Sequence, residues 1–464
     1  MLSRRTLFGG LATSLGFAGL ALAQSSEMAS ESYINQVHGY GPLIRDPKRL
    51  LDLPEGFSYQ VISQAGETMS DGLLVPGKAD GMGCFAAGDD RVLLVRNHEL
   101  SPGDFDYGAF GLNGRLASKA VASRVYDFHS NGLPLPGGTT TLLYDLKKRA
   151  LVSQHLSLAG TAVNCAGGVT PWGSWITCEE TTLTAGAPIG KDHGWTFEIP
   201  AVATGPVEPI PLKALGRFKH EAIAVDPKTG VIYLTEDTAD SLFYRFLPND
   251  RRRPSQGGRL QALALVDQPG ADTRNWKGNV LWKQGAWKSV RWIDLDGTDN
   301  PHDDLRLRGH ARGAAIFARG EGVFFGKGEL FFTCTSGGVA ECGQVMRYVP
   351  SAAEGQAGEA DQPGRLQLFV ESGDVKVMNY VDNLSVTPWG HIVACEDGSG
   401  PGKPNHMKAM TTDGKVYTLA RNAFRGDSEF AGVCFSPDGQ TMFVNIQTPG
   451  ITLAVTGPWG SFRA

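Results

Sequence analysis

Residues 163–180 run Val-Asn-Cys-Ala-Gly-Gly-Val-Thr-Pro-Trp-Gly-Ser-Trp-Ile-Thr-Cys-Glu-Glu, and residues 382–397 run Asp-Asn-Leu-Ser-Val-Thr-Pro-Trp-Gly-His-Ile-Val-Ala-Cys-Glu-Asp. Both spell a polar residue, a short apolar run, a Thr-Pro-Trp-Gly turn, a second apolar run and an acidic pair. A repeat constrains a fold more than any single motif, because each copy must bury its apolar face against its neighbours. Loosened to pivot, strand, turn, strand and polar end, the pattern recurs from Asp80 to Glu99, from Glu221 to Asp237, from Glu321 to Thr335 and from Glu429 to Asn445. Six units result, with polar pivots at Asp80, Cys165, Glu221, Glu321, Asn383 and Glu429.

Two short apolar runs either side of a Gly/Pro/Asp turn write a β-hairpin. Hairpins that recur with connections of unequal length write a ring of blades, so the expected fold is all-β, a six-bladed β-propeller with helical and loop decorations. The innermost strand of each blade would begin at its pivot, and the pivots would then converge on a central channel.

Five of these pivots are metal-ligand types: Asp80, Cys165, Glu221, Glu321 and Glu429. Calcium takes six to eight oxygen ligands, which a ring of carboxylates supplies. A thiolate added to carboxylates suits a transition metal such as iron or zinc. Crowded carboxylates without a cation would repel each other and bind protons instead. The competing reading is that each Glu caps a turn or pairs across blades, and Cys165 is then a buried structural thiol.

Other groups flank the pivots. His98 and His220 each precede a Glu, so strand alternation turns them away from it, toward packing. Arg319 lies two residues before Glu321, shares its face of the strand, and can clamp an oxyanion or pair with a neighbouring acid. Lys219, Arg217 and Arg245 add positive charge around the third unit.

The N-terminus carries Ser3-Arg4-Arg5-Thr6-Leu7-Phe8, an apolar run and an Ala21-Leu22-Ala23 cleavage pattern. Residues 1–23 are therefore expected to be a twin-arginine signal peptide, read by the Tat translocase, and residues 24–464 a single propeller domain in the periplasm or secreted. The apolar run is too short and too rich in Gly and Ala for a stable membrane insertion. Loss of Arg4 and Arg5 takes the formal charge from −5 to −7, and this acidity argues against a nucleic-acid partner. No phosphate-binding loop, dinucleotide fingerprint or nucleophile elbow is present.

Seven cysteines leave at least one unpaired. Cys178, Cys334 and Cys395 precede the polar ends of their strands and read as small buried residues, while Cys334 and Cys342 are close enough in sequence to pair. Residues 109–136 show some helical spacing over 115–128. Residues 247–313 carry four Trp residues and supply outer strands with an excursion that would roof the channel. Residues 351–365 read as a flexible surface loop.

The sequence resembles the PhoX-type alkaline phosphatases, on Asp80-Gly81-Met82, Leu94 to Glu99, Asn164-Cys165 through Glu180, Leu215 to Glu221, Arg319-Gly320-Glu321 and Glu429 through Gly450. The resemblance implies a twin-arginine-exported six-bladed propeller that hydrolyses phosphate monoesters with ferric iron (Fe3+) and calcium (Ca2+) at the channel mouth. By that likeness Cys165, Glu221 and Glu321 would hold iron. Asp80, Glu179, Glu180, Glu236, Asp237 and Glu429 would serve calcium, and Arg319 would bind phosphate. Two metals would orient the phosphoryl group and neutralise its charge. The implied partners are small phosphorylated substrates, with the protein itself a monomer. This chain is shorter than the best-known members, and its fifth unit carries Asp382-Asn383 where a lone acidic pivot is expected. Two other classes fit a propeller: a calcium-dependent lactonase-like hydrolase, which needs no thiolate, and a non-catalytic binding platform.

Overall fold

Each of the six sequence units folds as an antiparallel hairpin. The computed structural model describes residues 32–397, 404–424, 426 and 428–464, so the expected signal segment lies outside the described residues. The first strands of the hairpins are Ala79–Ala86, Asn164–Val169, His220–Val225, Gly320–Gly326, Val381–Val386 and Phe430–Phe435. Their partners are Arg91–His98, Ser174–Glu179, Ile232–Glu236, Glu329–Cys334, Ile392–Glu396 and Thr441–Ile446. The six first strands pack side by side in sequence order, and the sixth returns to the first, closing a propeller-like ring. Alternation along strands buried on both faces makes nearly every position in these hairpins solvent-free, which is why they read as near-continuous apolar runs.

Outer strands complete the sheets. Gly137–Asp145 and Ala150–Thr161 follow the first hairpin, and Thr196–Pro200 follows the second. The third and fourth sheets are joined into one of nine strands, because Trp287–Asp294 pairs with Gly258–Leu265 on one side and Arg365–Glu371 on the other. The ring is locked from the chain's other end: Ser58–Gln64 pairs with Ile451–Thr456, and Leu51–Pro54 pairs with Val416–Asn422.

Every first strand contains a β-bulge near its start, after one ladder pair in the first five and after two in the sixth. Two residues oppose one at 80–81, 165–166, 221–222, 321–322, 382–383 and 432–433. A bulge re-aims a side chain and frees backbone groups. The freed carbonyls are caught by the neighbouring blade: Asn97 Nδ2 donates to the Cys165 and Ala166 carbonyls, Thr235 Oγ1 to the Glu321 carbonyl at 2.5 Å, Thr333 Oγ1 to that of Asp382, and Asn445 Nδ2 to that of Asp80. Cys178 and Cys395 occupy the equivalent slot opposite their bulges, whereas Cys334 pairs directly with Gly320 and stands one position further on.

At the bulge glycines the strands approach so closely that a Cβ has no room. A Cβ at Gly81 would meet the Ala166 Cα at 2.5 Å, and one at Gly322 the Asp382 carbonyl at 2.6 Å. Below them the channel widens into an apolar cavity of about 290 Å3 between Met82, Val169, Ile223, Val323, Leu384 and Val433.

Three expectations for the periphery need correction. Residues 351–365 are anchored: Glu354 is 1% exposed and bonds Arg245, Tyr233 and Tyr348, while Glu359 takes a second edge of the Arg245 guanidinium. Residues 115–128 form only 3-10 turns, Ala117–Lys119 and Ala122–Arg124, because a run held by Leu116 and Val125 against Phe110 is too short to sustain a helix. Cys334 and Cys342 are not joined; Cys342 donates instead to the Ala340 carbonyl. In residues 247–313, Trp282 is core and Trp292 stacks on Arg245 at 4.4 Å. Among the described residues no helix is long and apolar enough to cross a membrane.

Candidate metal centre

The hairpins place three kinds of residue at the channel mouth. The residue leading into each first strand offers its carbonyl to the N–H of the residue leaving the second. Lys78 accepts from Glu99 (3.0 Å), Val163 from Glu180 (2.8 Å), Lys219 from Asp237 (3.2 Å), Arg319 from Thr335 (3.0 Å), Tyr380 from Asp397 (2.7 Å) and Glu429 from Gln447 (3.0 Å). Four of these lead-in residues, Lys78, Val163, Arg319 and Tyr380, hold φ between 43° and 53°, a conformation that persists in non-glycine residues only where surroundings enforce it. Inside this frame stands the bulge residue of each strand.

The pivots therefore need two corrections. In the fifth strand the first bulge residue is Asp382; Asn383 follows it, donating to Asp382 Oδ1 and accepting from the Gly432 N–H. In the sixth the bulge falls on Gly432, because one further ladder pair precedes it, and Glu429 is the lead-in residue. A Cβ at Gly432 would lie 2.3 Å from the Asp80 carbonyl.

Three groups of ligand atoms converge, each within 4.8 Å: Cys165–Glu180–Glu221, Glu221–Glu321–Asp382 and Asp80–Glu99–Glu429. Glu221 belongs to two of them. The Cys165 Sγ lies 3.2 Å from Glu221 Oε1 and 3.7 Å from Asp80 Oδ1. Glu221 Oε2 is buried with no hydrogen-bond partner. Burial first, and neighbouring acids second, push up the carboxyls of Asp80, Glu180, Glu221, Glu321 and Glu429. Glu99 and Asp382 are pushed up to about 7 by burial; Lys78 opposes this at Glu99, and Arg319 at Asp382. Burial, then Asp80 and Glu221, push the Cys165 thiol up as well. A bare oxygen among like charges is the environment that a cation relieves, and the donor set of one thiol and many carboxylates fits one.

Arg319 spans the rim. Its Nε and Nη2 grip Asp237 at 2.8 and 3.0 Å, Nη2 also reaches Glu321 at 2.7 Å, and Nη1 points at Asp397 at 3.4 Å. Asp237 thus stands at the mouth, paired with the arginine.

Two expected ligands lie elsewhere. Glu179 accepts from the Ala162, Gly194 and Trp195 N–H groups and from His193 Nδ1. Glu236 accepts from the Tyr244 hydroxyl at 2.6 Å. Consecutive residues at a strand end face opposite ways, so Glu180 and Asp237 look into the channel while their predecessors look out. His98 bonds the Gly77 carbonyl and Thr140, and His220 bonds the Gly216 carbonyl, so both serve packing. Sequence reasoning missed Glu99, Asp382 and Asp397. The signal was available: Asn97-His98-Glu99 occupies the strand-end position of Cys178-Glu179-Glu180.

Fold and site together define a propeller-like β-protein with a buried, cation-seeking acidic centre at one end of its channel. The chain belongs to the alkaline phosphatase PhoX family, whose description matches residues 38–107 and 138–450, and it is accordingly a hydrolase of the phosphatase class. The unmatched residues 108–137 are those of the 3-10 turns. PhoX from Pseudomonas fluorescens, solved with vanadate, a transition-state analogue, is 18% identical over 92% of this chain and 98% of that one, with a TM-score of 0.65. A gluconolactonase of Xanthomonas campestris aligns over 83% and 97% at 15% identity, but its TM-score of 0.32 is too low to compare the folds in detail. No curated protein sequence matches the chain.

Proposed function

We propose that the protein is an exported phosphomonoesterase built as one six-bladed domain, with iron and calcium held at the channel mouth. The reading rests on one observation above all: Glu221, buried and with one oxygen unpartnered, is shared between a thiol-containing group and an all-carboxylate group. A shared carboxylate suits two adjacent cations. Cys165, Glu180 and Glu221 would hold one iron, and Glu221, Glu321 and Asp382 the other. Asp80, Glu99 and Glu429, all oxygen donors, suit calcium. When bound, such ions supply positive charge to the transferring phosphoryl group.

The remaining chemistry belongs to the chain. Arg319 Nη1 makes the longest of that side chain's contacts, so it is the donor freest to turn toward a phosphoryl oxygen. The vanadate bound by the Pseudomonas fluorescens protein supports a phosphoryl substrate here. The twin-arginine pattern supports export to the periplasm.

Elemental analysis of the desalted protein, followed by p-nitrophenyl phosphate hydrolysis, tests this. Iron together with calcium is expected, and Cys165→Ser should lower the iron content and the turnover together. Calcium alone, with Cys165→Ser fully active, would favour a lactonase-like site; no tightly bound metal would sink the reading.

A further inference from the structure

Two fully buried asparagines stand on adjacent blades, each the penultimate residue of its blade's second strand. Asn97 lies in Arg91–His98 of the first blade and Asn445 in Thr441–Ile446 of the sixth. Asn97 Nδ2 donates to the Cys165 carbonyl at 3.1 Å and to the Ala166 carbonyl at 2.6 Å. Asn445 Nδ2 donates to the Asp80 carbonyl at 2.5 Å. Each amide therefore grips the bulge of the next blade. One grips it at the thiol-bearing group and the other at the all-oxygen group that contains Asp80.

Neither amide is free to turn. Asn97 Oδ1 accepts from Trp175 Nε1 and Thr177 Oγ1, both at 2.9 Å. Asn445 Oδ1 accepts from Thr452 Oγ1 at 2.6 Å, and that hydroxyl accepts in turn from the buried Arg96 guanidinium. An amide whose oxygen is held by donors can present only its nitrogen to the carbonyls on the other side. Cys165 is thus bracketed: Asn164 before it sits in the ladder opposite Glu179, and Asn97 holds the two carbonyls that follow. Asp80 is bracketed in the same way by the Ala79–His98 ladder pair and by Asn445. A bulge takes residues out of the ladder, so at these two positions the neighbouring blade sets the direction of the Cα–Cβ bond.

We propose that Asn97 and Asn445 are positioning residues for two different metal groups: Asn97 aims Cys165 at iron, and Asn445 aims Asp80 at calcium. The inference rests on the metal assignment above. A ligand released from its outer partner loses the geometry that its metal requires, which typically costs about 10–100-fold in affinity. Because each asparagine touches one group only, the two losses are separable.

The test compares wild type with Asn97→Asp and Asn445→Asp. Aspartate keeps the size and the acceptor oxygen of the asparagine, but sets a second oxygen against the carbonyl that the amide nitrogen held. In chelator, Asn97→Asp should release iron about 10-fold faster or more, while the calcium concentration that half-saturates the protein stays near that of wild type. Asn445→Asp should raise that calcium concentration about 10-fold or more and leave iron release near wild type. The thiolate-to-iron absorption band should weaken in Asn97→Asp alone. Should an aspartate variant fail to fold, Thr177→Val and Thr452→Val each remove one donor from the matching amide oxygen and should show the same crossed pattern at smaller size. Equal loss of both metals in both variants, or unchanged iron release in Asn97→Asp, would overturn the proposal, since a purely structural role moves both groups alike. Should wild type hold neither metal, the functional reading fails on its own. Asn97 is then judged by the rate at which iodoacetamide alkylates Cys165 in the folded protein, followed by mass spectrometry. Asn97→Asp should raise that rate, and equal rates would refute the positioning role.

Discussion

Glu99→Gln separates the two states of the acidic centre by giving them opposite signs. In the metal-free protein the Glu99 carboxyl is pushed up from 4.5 to about 7, so its ionisation is penalised by folding. A raised carboxyl contributes stability that is present below pH 4.5 and is lost as pH rises through about 7. At about 1.4 kcal/mol per unit, the loss amounts to about 3 kcal/mol at pH 8. Glutamine removes this loss and can still accept from Gln447 Nε2, which bonds Glu99 Oε2 at 2.6 Å. A chain of 464 residues unfolds with an entropy of about 1 kcal/mol per kelvin, so in chelator at pH 8 the variant should melt about 3 °C above wild type. At pH 4 the two should coincide. Calcium should reverse the order at pH 8, because the variant lacks one anionic ligand of the Asp80–Glu99–Glu429 group. Differential scanning fluorimetry with chelator and with calcium reads all three conditions. A variant that melts below wild type in chelator at pH 8 would refute the account of a like-charged, cation-dependent centre.

Two further substitutions probe the frame. Gly432→Ala places a Cβ 2.3 Å from the Asp80 carbonyl at a φ of +65°, so urea unfolding should show a loss of about 1–3 kcal/mol. Glu354→Gln leaves the buried Arg245 without its innermost carboxylate, at 2.6 Å. With Glu359 still in place the loss should sit near the lower end for a broken buried pair, about 3 kcal/mol by the same measurement.

Much of the ring was legible because the hairpins repeat a pattern that local chemistry enforces. Thr-Pro-Trp-Gly at 170–173 and 387–390 turns the chain at both places, with Gly173 and Gly390 at positive φ. What went unread was the parity of the acidic pairs at the strand ends. Glu179-Glu180, Glu236-Asp237 and Glu396-Asp397 each look like a pair of ligands, yet only the second member faces the channel. The same alternation that set His98 and His220 aside applies to these acids. Asp382 was hidden for a different reason: a bulge shifts which residue of Asp382-Asn383 is re-aimed, and bulge position depends on pairing with a distant strand. Glu429 reaches the centre from outside its strand, through a register that only the assembled sixth sheet defines. Glu354 was read as loop because its partner Arg245 is remote in sequence.

The backbone closure at the mouth has an evolutionary consequence. At each blade one N–H and one carbonyl fix the two gateway positions without using either side chain, so Lys78, Val163, Lys219, Arg319, Tyr380 and Glu429 share one main-chain hydrogen bond despite having little in common chemically. The same holds for Glu99, Glu180, Asp237, Thr335, Asp397 and Gln447. The rim is thus a set of twelve sockets whose contents can be exchanged while the scaffold keeps its shape. Descendants of such a ring can gain or lose a cation, or change the ester they accept, one socket at a time.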